Sequence, residues 1–247
     1  MNMCSSDIRL AKLIADRGFC SRRNAEAYII AGRVKVNGKI HIDLGKKVTP
    51  DSDVSIDNTP LEKKVVGRLW AFHKPIEMIC SHLDPEGRQT VFSYLKKTFP
   101  YLPHVISVGR LDYMSEGLLL ITNKGSLAHQ LEKPNKSMIR TYDVKLARTL
   151  TDPMLKLLEK GVSIDGIHYK KIIVQKLEQV GSQNWYRFKL TEGKNREIRK
   201  ILEHFKIPLA RLKRVAYGPI KLGPLEKGAI RELKQSELKT LLEKVND

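Results

Sequence analysis

Apolar positions near the amino terminus change their period as the chain proceeds. In DIRLAKLIADRG, Leu10, Leu13, Ile14 and Arg17 recur at helical spacing, with Asp7 as a candidate cap and Gly18 as a stop. SRRNAEAYIIAG repeats the pattern, with Ser21 at the cap, Ala25, Tyr28 and Ile29 on one face and Gly32 closing it. RVKVNGKIHI then alternates with period two around Asn37-Gly38, a pair that favours a tight hairpin, and DVSID is a short strand ending near residue 57. Two helices, a hairpin and a strand make residues 1–57 a small domain. NTPLEKKVV, residues 58–66, is polar, holds a proline and reads as a linker.

Residues 67–247 form the second domain and lack a regular βαβ rhythm. RLWAFHKP and VISVG read as strands, with TVFSYLKKTF as a helix between them. GLLLITN is a strand whose run Leu118-Leu119-Leu120-Ile121 suits burial on both faces. SLAHQLE is a short helix, and IRTYDVKLA alternates with Tyr142, Val144 and Leu146 on one side. Helix DPMLKLLEKG, strands KKIIVQKL and WYRFKLT, a helix from about Asn195 and the amphipathic SELKTLLEKV complete the chain. This mixture predicts an α+β protein rather than a doubly wound sheet.

Charge narrows the partner. The 247 residues carry 45 Lys+Arg against 27 Asp+Glu, a net +18, which suits a polyanion and above all nucleic acid. Cys4, Cys20 and Cys80 fit neither a disulfide framework nor a metal motif, so a reducing compartment is expected. The amino terminus has no signal-peptide core, and no apolar run approaches the ~20 residues that cross a bilayer. The expectation is a soluble, cytoplasmic, monomeric protein with no membrane partner.

Two stretches could carry chemistry. In VGRLDYMSEGLLLITNKG, Asp112 and Glu116 sit between Gly109 and Gly117 at the mouth of the most apolar strand. Asp112 is either a turn-former or a reactive carboxylate, and the spacing to Glu116 in a loop fixes no acid/base separation. In LTEGKNREIRKILEHFKI, a helix from Asn195 buries Ile198, Ile201, Leu202 and Phe205. Arg196, Lys200 and Glu203 then point away, while Arg199 lies on the edge of the apolar stripe and must snorkel or pair with a carboxylate. Arg199 is therefore the cation to pair with an active-site Asp, and Arg196 and Lys200 are placed to meet phosphates, in a stretch whose basic residues include Lys194.

The segment RLAKLIADRGFCSRRNAEAYIIAGRVKVNG resembles an S4 RNA-binding domain, with Arg22, Arg23, Arg33 and Lys35 on the edge where that family meets RNA phosphates. GRLDYMSEGLLLITNKG resembles the GRLD-x-x-[ST]-x-GLLLLTNDG motif of bacterial rRNA pseudouridine synthases of the RsuA/RluB/RluE/RluF type. FHKP, RTYDVKL, EGKNREIRK and LKRVAYGPIKLGPLEKGAIREL match further motifs in order, so the resemblance runs from residue 7 to about 242. It implies a catalytic domain with a mixed, mainly antiparallel sheet flanked by helices. It also implies Asp112 as catalytic aspartate, Tyr142 stacking on the target base, Arg199 pairing with the aspartate and Leu212 or Val215 as apolar contact. Arg110 would be an RNA or structural contact.

The implied reaction turns uridine into pseudouridine in ribosomal RNA, free or in a pre-ribosomal particle, without cofactor or metal. The uridine is flipped into the pocket. Asp112 either attacks C1′ or takes a proton from C2′; the residues fit both routes. Glu77 stands where the family has Gly, and Lys124 where it has Asp. Ser115 at the Ser/Thr position points to the large-subunit, RluB-like members and hence to 23S over 16S rRNA. Other readings are a non-catalytic S4-type rRNA-binding ribosome-assembly protein, and a hydrolase using Ser115 with His73, His104 or His129, or Cys80 as nucleophile. Neither Ser115 nor Cys80 has a supporting motif.

Overall fold

The computed structural model describes residues 7–63, 65–133, 138–178 and 184–246. Cys4 lies outside them. The chain opens with a two-residue strand β1 (Ile8–Arg9), α1 (Leu10–Asp16) and α2 (Arg22–Ile30). Asp7 does not cap α1. The N-cap residue is Arg9, and Leu10 N–H instead donates to the Lys46 carbonyl at 2.9 Å, because β1 pairs with β4 (Lys47–Val48). Ser21 caps α2 as expected, accepting from Asn24 N–H. Arg17 is buried, and its guanidinium donates to the carbonyls of Pro50 (2.8 Å) and Ser52 (2.7 Å).

A four-stranded antiparallel sheet orders β3 (Lys39–Ile40), β2 (Val34–Val36), β5 (Val54–Ile56) and β6 (Thr59–Pro60). Asn37 and Gly38 make the β2–β3 turn with φ +48° and +81°. Strand β6 falls in the stretch expected to be linker. Asp57 and Asn58 both take positive φ, +50° and +65°, which is the two-residue turn that returns an antiparallel strand. Pro60 is tolerated there because β6 is an edge strand.

The second sheet has nine strands. In chain order they are β7 (Leu69–Lys74), β8 (Ile106–Ser107), β9 (Glu116–Thr122), β10 (Arg140–Leu146), β13 (Ile173–Lys176), β14 (Trp185–Leu190), β15 (Leu209–Tyr217), β16 (Ile220–Lys221) and β17 (Ile230–Glu232). A separate hairpin, β11 (Val162–Ile164) and β12 (Ile167–Tyr169), turns at Asp165-Gly166. The main path runs β13-β14-β10-β15-β9-β7-β17, with β8 beside β9 and β16 beside β15. Only β9–β15 is parallel among these pairings. The mixed, mainly antiparallel α+β architecture is as expected.

Helices α3 (Val91–Thr98), α4 (Gly125–Glu132), α5 (Asp152–Lys160), α6 (Glu197–His204) and α7 (Gln235–Asn246) flank the sheet. None of the described helices is long and apolar enough to cross a membrane. Every residue of β9 is buried, as its leucine run predicts. Helix α6 begins at Glu197, two residues later than expected, because Arg196 takes a left-handed φ of +52°. The nine-residue β15 was not predicted: charges at Arg211, Lys213 and Arg214 hide its alternation.

One position fixes how β9 meets β15. Gly117 has φ +105°, and a Cβ there would lie 2.2 Å from the Arg214 carbonyl oxygen. Gly117→Ala should cost about 3 kcal/mol or more in urea unfolding, against about 1 kcal/mol for Gly223→Ala. Gly223 shares the positive φ (+60°), but no atom lies within 4 Å of its Cβ position. Equal losses at the two sites would show that strain alone, not the close approach, sets the requirement.

Candidate active site

Residues 109–115 join β8 to β9 and form a tight loop. Gly109 N–H donates to Glu132 Oε1 at 2.7 Å, and Ser115 N–H donates to the Asp112 carbonyl at 3.0 Å. The Asp112 side chain is left one-third exposed, at 33%. Lys74, at the end of β7, is wholly buried beneath this loop. Its ammonium donates to the carbonyls of Pro75 (2.8 Å), Asp112 (3.2 Å) and Ser115 (2.8 Å). Burial lowers the Lys74 pKa to about 8. Glu77 N–H adds a hold on the Tyr113 carbonyl at 2.8 Å. Glu77 has φ +61°, a conformation glycine adopts freely, which accounts for the glycine in the motif it departs from.

Arg199 comes from the first turn of α6, whose Ile198, Ile201 and Leu202 are buried against the sheet. Its Nε lies 3.4 Å from Asp112 Oδ2. Its Nη2 donates to the Met114 carbonyl (2.9 Å) and to Ser115 Oγ (3.1 Å). Of the two outcomes open to an edge-of-stripe arginine, snorkelling or pairing, Arg199 lies against the aspartate. Ser115 has no histidine partner among the described residues. His73 Nδ1 instead faces the Leu225 carbonyl at 2.7 Å, and Cys80 Sγ accepts from Leu111 N–H at 3.4 Å. Neither arrangement activates a hydrolytic nucleophile.

Glu116 is not a partner acid for Asp112. Its side chain is 1% exposed and is held by Arg211 Nε and by Lys227 Nζ at 3.0 Å. Burial would raise its pKa, but these two cations bring it below the ordinary glutamate value.

Asp112, Arg199, Tyr142 and Leu212 line one cavity of about 250 Å³. Tyr142, half-buried on β10, is the cross-strand neighbour of Arg214. Leu212 is buried and lines the cavity, whereas Val215 is not among the lining residues. Val215 is the extra residue of a bulge: Arg214 pairs with Tyr142 and Ala216 with Thr141. Arg110 and Arg196 are exposed at the cavity wall, and Arg196 lies 3.5 Å from Glu203. Lys194 is tied to Glu192 (2.8 Å) and to the His168 carbonyl (2.6 Å). Lys200 does not line the cavity.

The cations of the first domain divide into two kinds. Arg22 and Arg23 are exposed on α2. Arg33 pairs with Asp57 (2.8 and 2.5 Å), and Lys35 donates to Asn58 Oδ1 at 2.7 Å.

Three site residues escaped sequence reading: Lys74, Arg214 and Glu197. Lys74 closes an apolar run, LWAFHK, and that position is the one signal for its burial. Arg214 shares the β15 face of Leu212, visible only once the strand is known. Glu197 is buried and lines the cavity, and its Oε2 accepts from Lys194 N–H at 2.9 Å. Its Oε1 has no hydrogen-bond partner. Burial raises its pKa to about 7.

A basic two-helix module followed by a mixed sheet, with a loop aspartate paired to an arginine beside an aromatic, defines an RNA-directed pseudouridine synthase. The chain belongs to the RNA pseudouridylate synthase family, which matches residues 68–204, and an S4 domain matches residues 8–54. It is 41% identical over 234 residues to an uncharacterized RNA pseudouridine synthase of Rickettsia typhi, covering 95% of each chain. It is 36% identical to the ribosomal large subunit pseudouridine synthase B of Pseudomonas aeruginosa, covering 96% of this chain and 62% of that one. A pseudouridylate synthase crystal structure shares the fold, with TM-score 0.67 and 24% identity, over 95% of this chain and 99% of that one.

The Glu197 carboxyl gives a pH test. Its folded pKa of about 7 lies above the ordinary value of 4.5, so the folded state holds the proton through that window. The stability this proton brings is full below pH 4.5 and lost as pH rises through 7. Glu197→Gln should therefore gain stability relative to the wild-type chain as pH rises from 4.5 to 7, read from paired denaturant midpoints. A constant difference across that range would show that the carboxyl titrates normally.

Proposed function

We propose that the protein isomerises one uridine of ribosomal RNA to pseudouridine, in 23S rather than 16S rRNA, with Asp112 as the reacting group. The observation that carries this reading is the meeting of Asp112, Arg199, Tyr142 and Leu212 in one cavity. At about 250 Å³ the cavity is large enough for a single flipped-out base. The target uridine is flipped out of its stack, rests its face on Tyr142 and meets Leu212 on its other side. The N1–C1′ bond breaks, the base turns, and C5 bonds to C1′. Asp112 either bonds to C1′ or removes the C2′ proton. Arg199 supports both routes by pairing with the carboxylate and by tying the Met114 carbonyl and Ser115 hydroxyl, so that loop and helix move as one.

The substrate class rests on similarity to the large-subunit enzymes and on the net charge of +18. The amino-terminal module, through the end of its small sheet, holds the RNA, and the remainder carries the chemistry. Arg22 and Arg23, exposed and in no ion pair among the described residues, are its best phosphate contacts. Arg110 and Arg196 meet RNA at the cavity mouth, with Lys194 and Lys200 flanking them.

The test is to incubate the protein with 23S and 16S rRNA and map pseudouridine. Wild type should modify a single 23S position, and Asp112→Asn should bind equally but leave product below detection. Product from the Asn variant would sink the aspartate mechanism, and a 16S product would overturn the subunit assignment. For the RNA-holding module, the Arg22→Ala/Arg23→Ala double variant should flatten the slope of log affinity against log salt by about 1.4 to 1.8. An unchanged slope would remove α2 from the interface.

A further inference from the structure

Arg214 lines the cavity yet has no part in the mechanism above. It is 3% exposed, and its Nε donates to the Leu118 carbonyl at 2.7 Å. Its guanidinium carbon lies 5.5 Å from the Tyr217 ring centroid. Its Nη2 is buried without a hydrogen-bond partner. Nearby carboxylates are committed elsewhere, Asp112 to Arg199 and Glu116 to Arg211 and Lys227. Arg214 forms no ion pair among the described residues. A buried guanidinium lacking both counter-ion and a full set of acceptors is costly, and such a group calls for an explanation. Arg17, the other buried arginine with idle nitrogens, differs: it lies off the cavity, binds two carbonyls through Nη2 and has Asp51 and Asp53 as nearby compensating charges.

Position supplies the explanation for Arg214. It is the direct cross-strand neighbour of Tyr142, so the two side chains stand side by side on one face of the sheet. A base lying on the Tyr142 ring is within reach of the guanidinium. When N1–C1′ breaks, the bonding pair stays on N1. The base becomes an anion whose charge spreads onto O2 and O4, whether Asp112 has bonded to C1′ or taken the C2′ proton. The later steps return this pair: C5 bonds to C1′, C5 loses its proton and N1 gains one.

We propose that Arg214 is a catalytic residue that donates from Nη2 to a carbonyl oxygen of the departing uracil and stabilises the base anion between bond cleavage and re-attachment. This rests on the pseudouridine synthase reading above. A donor with no ground-state partner gains most when charge appears, which is the condition for selective transition-state stabilisation. A backbone phosphate is the alternative ligand. It fits a 3%-exposed group poorly, because it would have to follow the base into the cavity.

The test uses the full chain and an RNA fragment bearing either uridine or 5-fluorouridine at the modified position. RNA affinity, thermal unfolding and single-turnover loss of the starting nucleoside, read by nucleoside chromatography, are measured for wild type, Arg214→Lys and Arg214→Met. Loss is read because C5 of 5-fluorouridine carries fluorine in place of the proton that C5 of uridine gives up. Fluorine withdraws electrons and stabilises the base anion itself, so a lost protein cation should matter less. Arg214→Met should convert uridine about 100-fold more slowly, with RNA affinity within about twofold of wild type. On 5-fluorouridine that deficit should shrink by about tenfold, with Arg214→Lys between the two on both substrates.

A uridine rate within about threefold of wild type overturns the proposal. So does an equal deficit on both substrates, which marks a merely structural arginine, or weakened RNA binding with an unchanged rate, which marks a phosphate contact. If Arg214→Met does not fold, the substrate comparison for Arg214→Lys decides alone. No pseudouridine from wild type fells the function and this inference together; a normal wild type beside equally fast variants fells only the inference.

Discussion

The close parallel approach of β9 to β15 is the constraint on which the site depends. At Gly117 the two backbones come so near that no Cβ fits, and this sets the register of everything attached to either strand. The Asp112 loop enters β9 one residue before Gly117. Leu212 and Arg214 ride on β15, and Tyr142 is fixed to the far side of β15 through β10. A wider spacing would move Asp112 away from Leu212, Arg214 and Tyr142, with which it lines the cavity. Glu116 reinforces the seam, since its buried carboxylate binds Arg211 of β15 from the first residue of β9. The carboxylate at the start of β9 thus serves geometry, and its two cations hold it ionised.

Lys74 shows how the loop is held without closing the site. Its ammonium gathers the carbonyls of Pro75, Asp112, Tyr113 and Ser115, so the backbone turn around Asp112 is satisfied from below while the aspartate side chain stays partly exposed at the cavity. A carboxylate in that position would neutralise the lysine more cheaply but would bring a second anion beside Asp112. Backbone carbonyls offer partial charge only. They leave Lys74 costly enough that burial lowers its pKa to about 8, and they leave Asp112 as the loop's one anion facing the cavity.

What could be read from the sequence follows from where the information lies. The Asn37-Gly38 hairpin, the Ser21 cap and the doubly buried β9 each depend on residues within a few positions, and all are legible. Arg199 is legible too, because helix periodicity alone places it on the edge of an apolar face. The Asp57-Asn58 turn is hidden by a polar stretch with a proline, which describes an edge hairpin as well as a linker. Strand β15 is hidden by charges whose partners, Glu116 among them, lie far away in sequence. Lys74 and Glu197 are unreadable for the same reason: their burial follows from chain segments that only the folded sheet brings over them. Choosing Leu212 over Val215 as cavity residue needs strand β15 and the face it turns to the cavity, and that face is set by its pairing with β10.

These hidden residues share a physical feature. Arg214 Nη2 and Glu197 Oε1 are both buried, both lack a partner and both belong to residues lining the cavity. A folded chain under selection for stability alone would pair them or replace them with apolar groups. Their place at the cavity and the two cations on Glu116, which sits on the neighbouring strand β9, point to different uses for buried charge. Where the protein needs rigidity it completes the ion pairs. At the cavity wall, unspent hydrogen-bonding capacity stays available to a group that enters, and complete pairing would remove it.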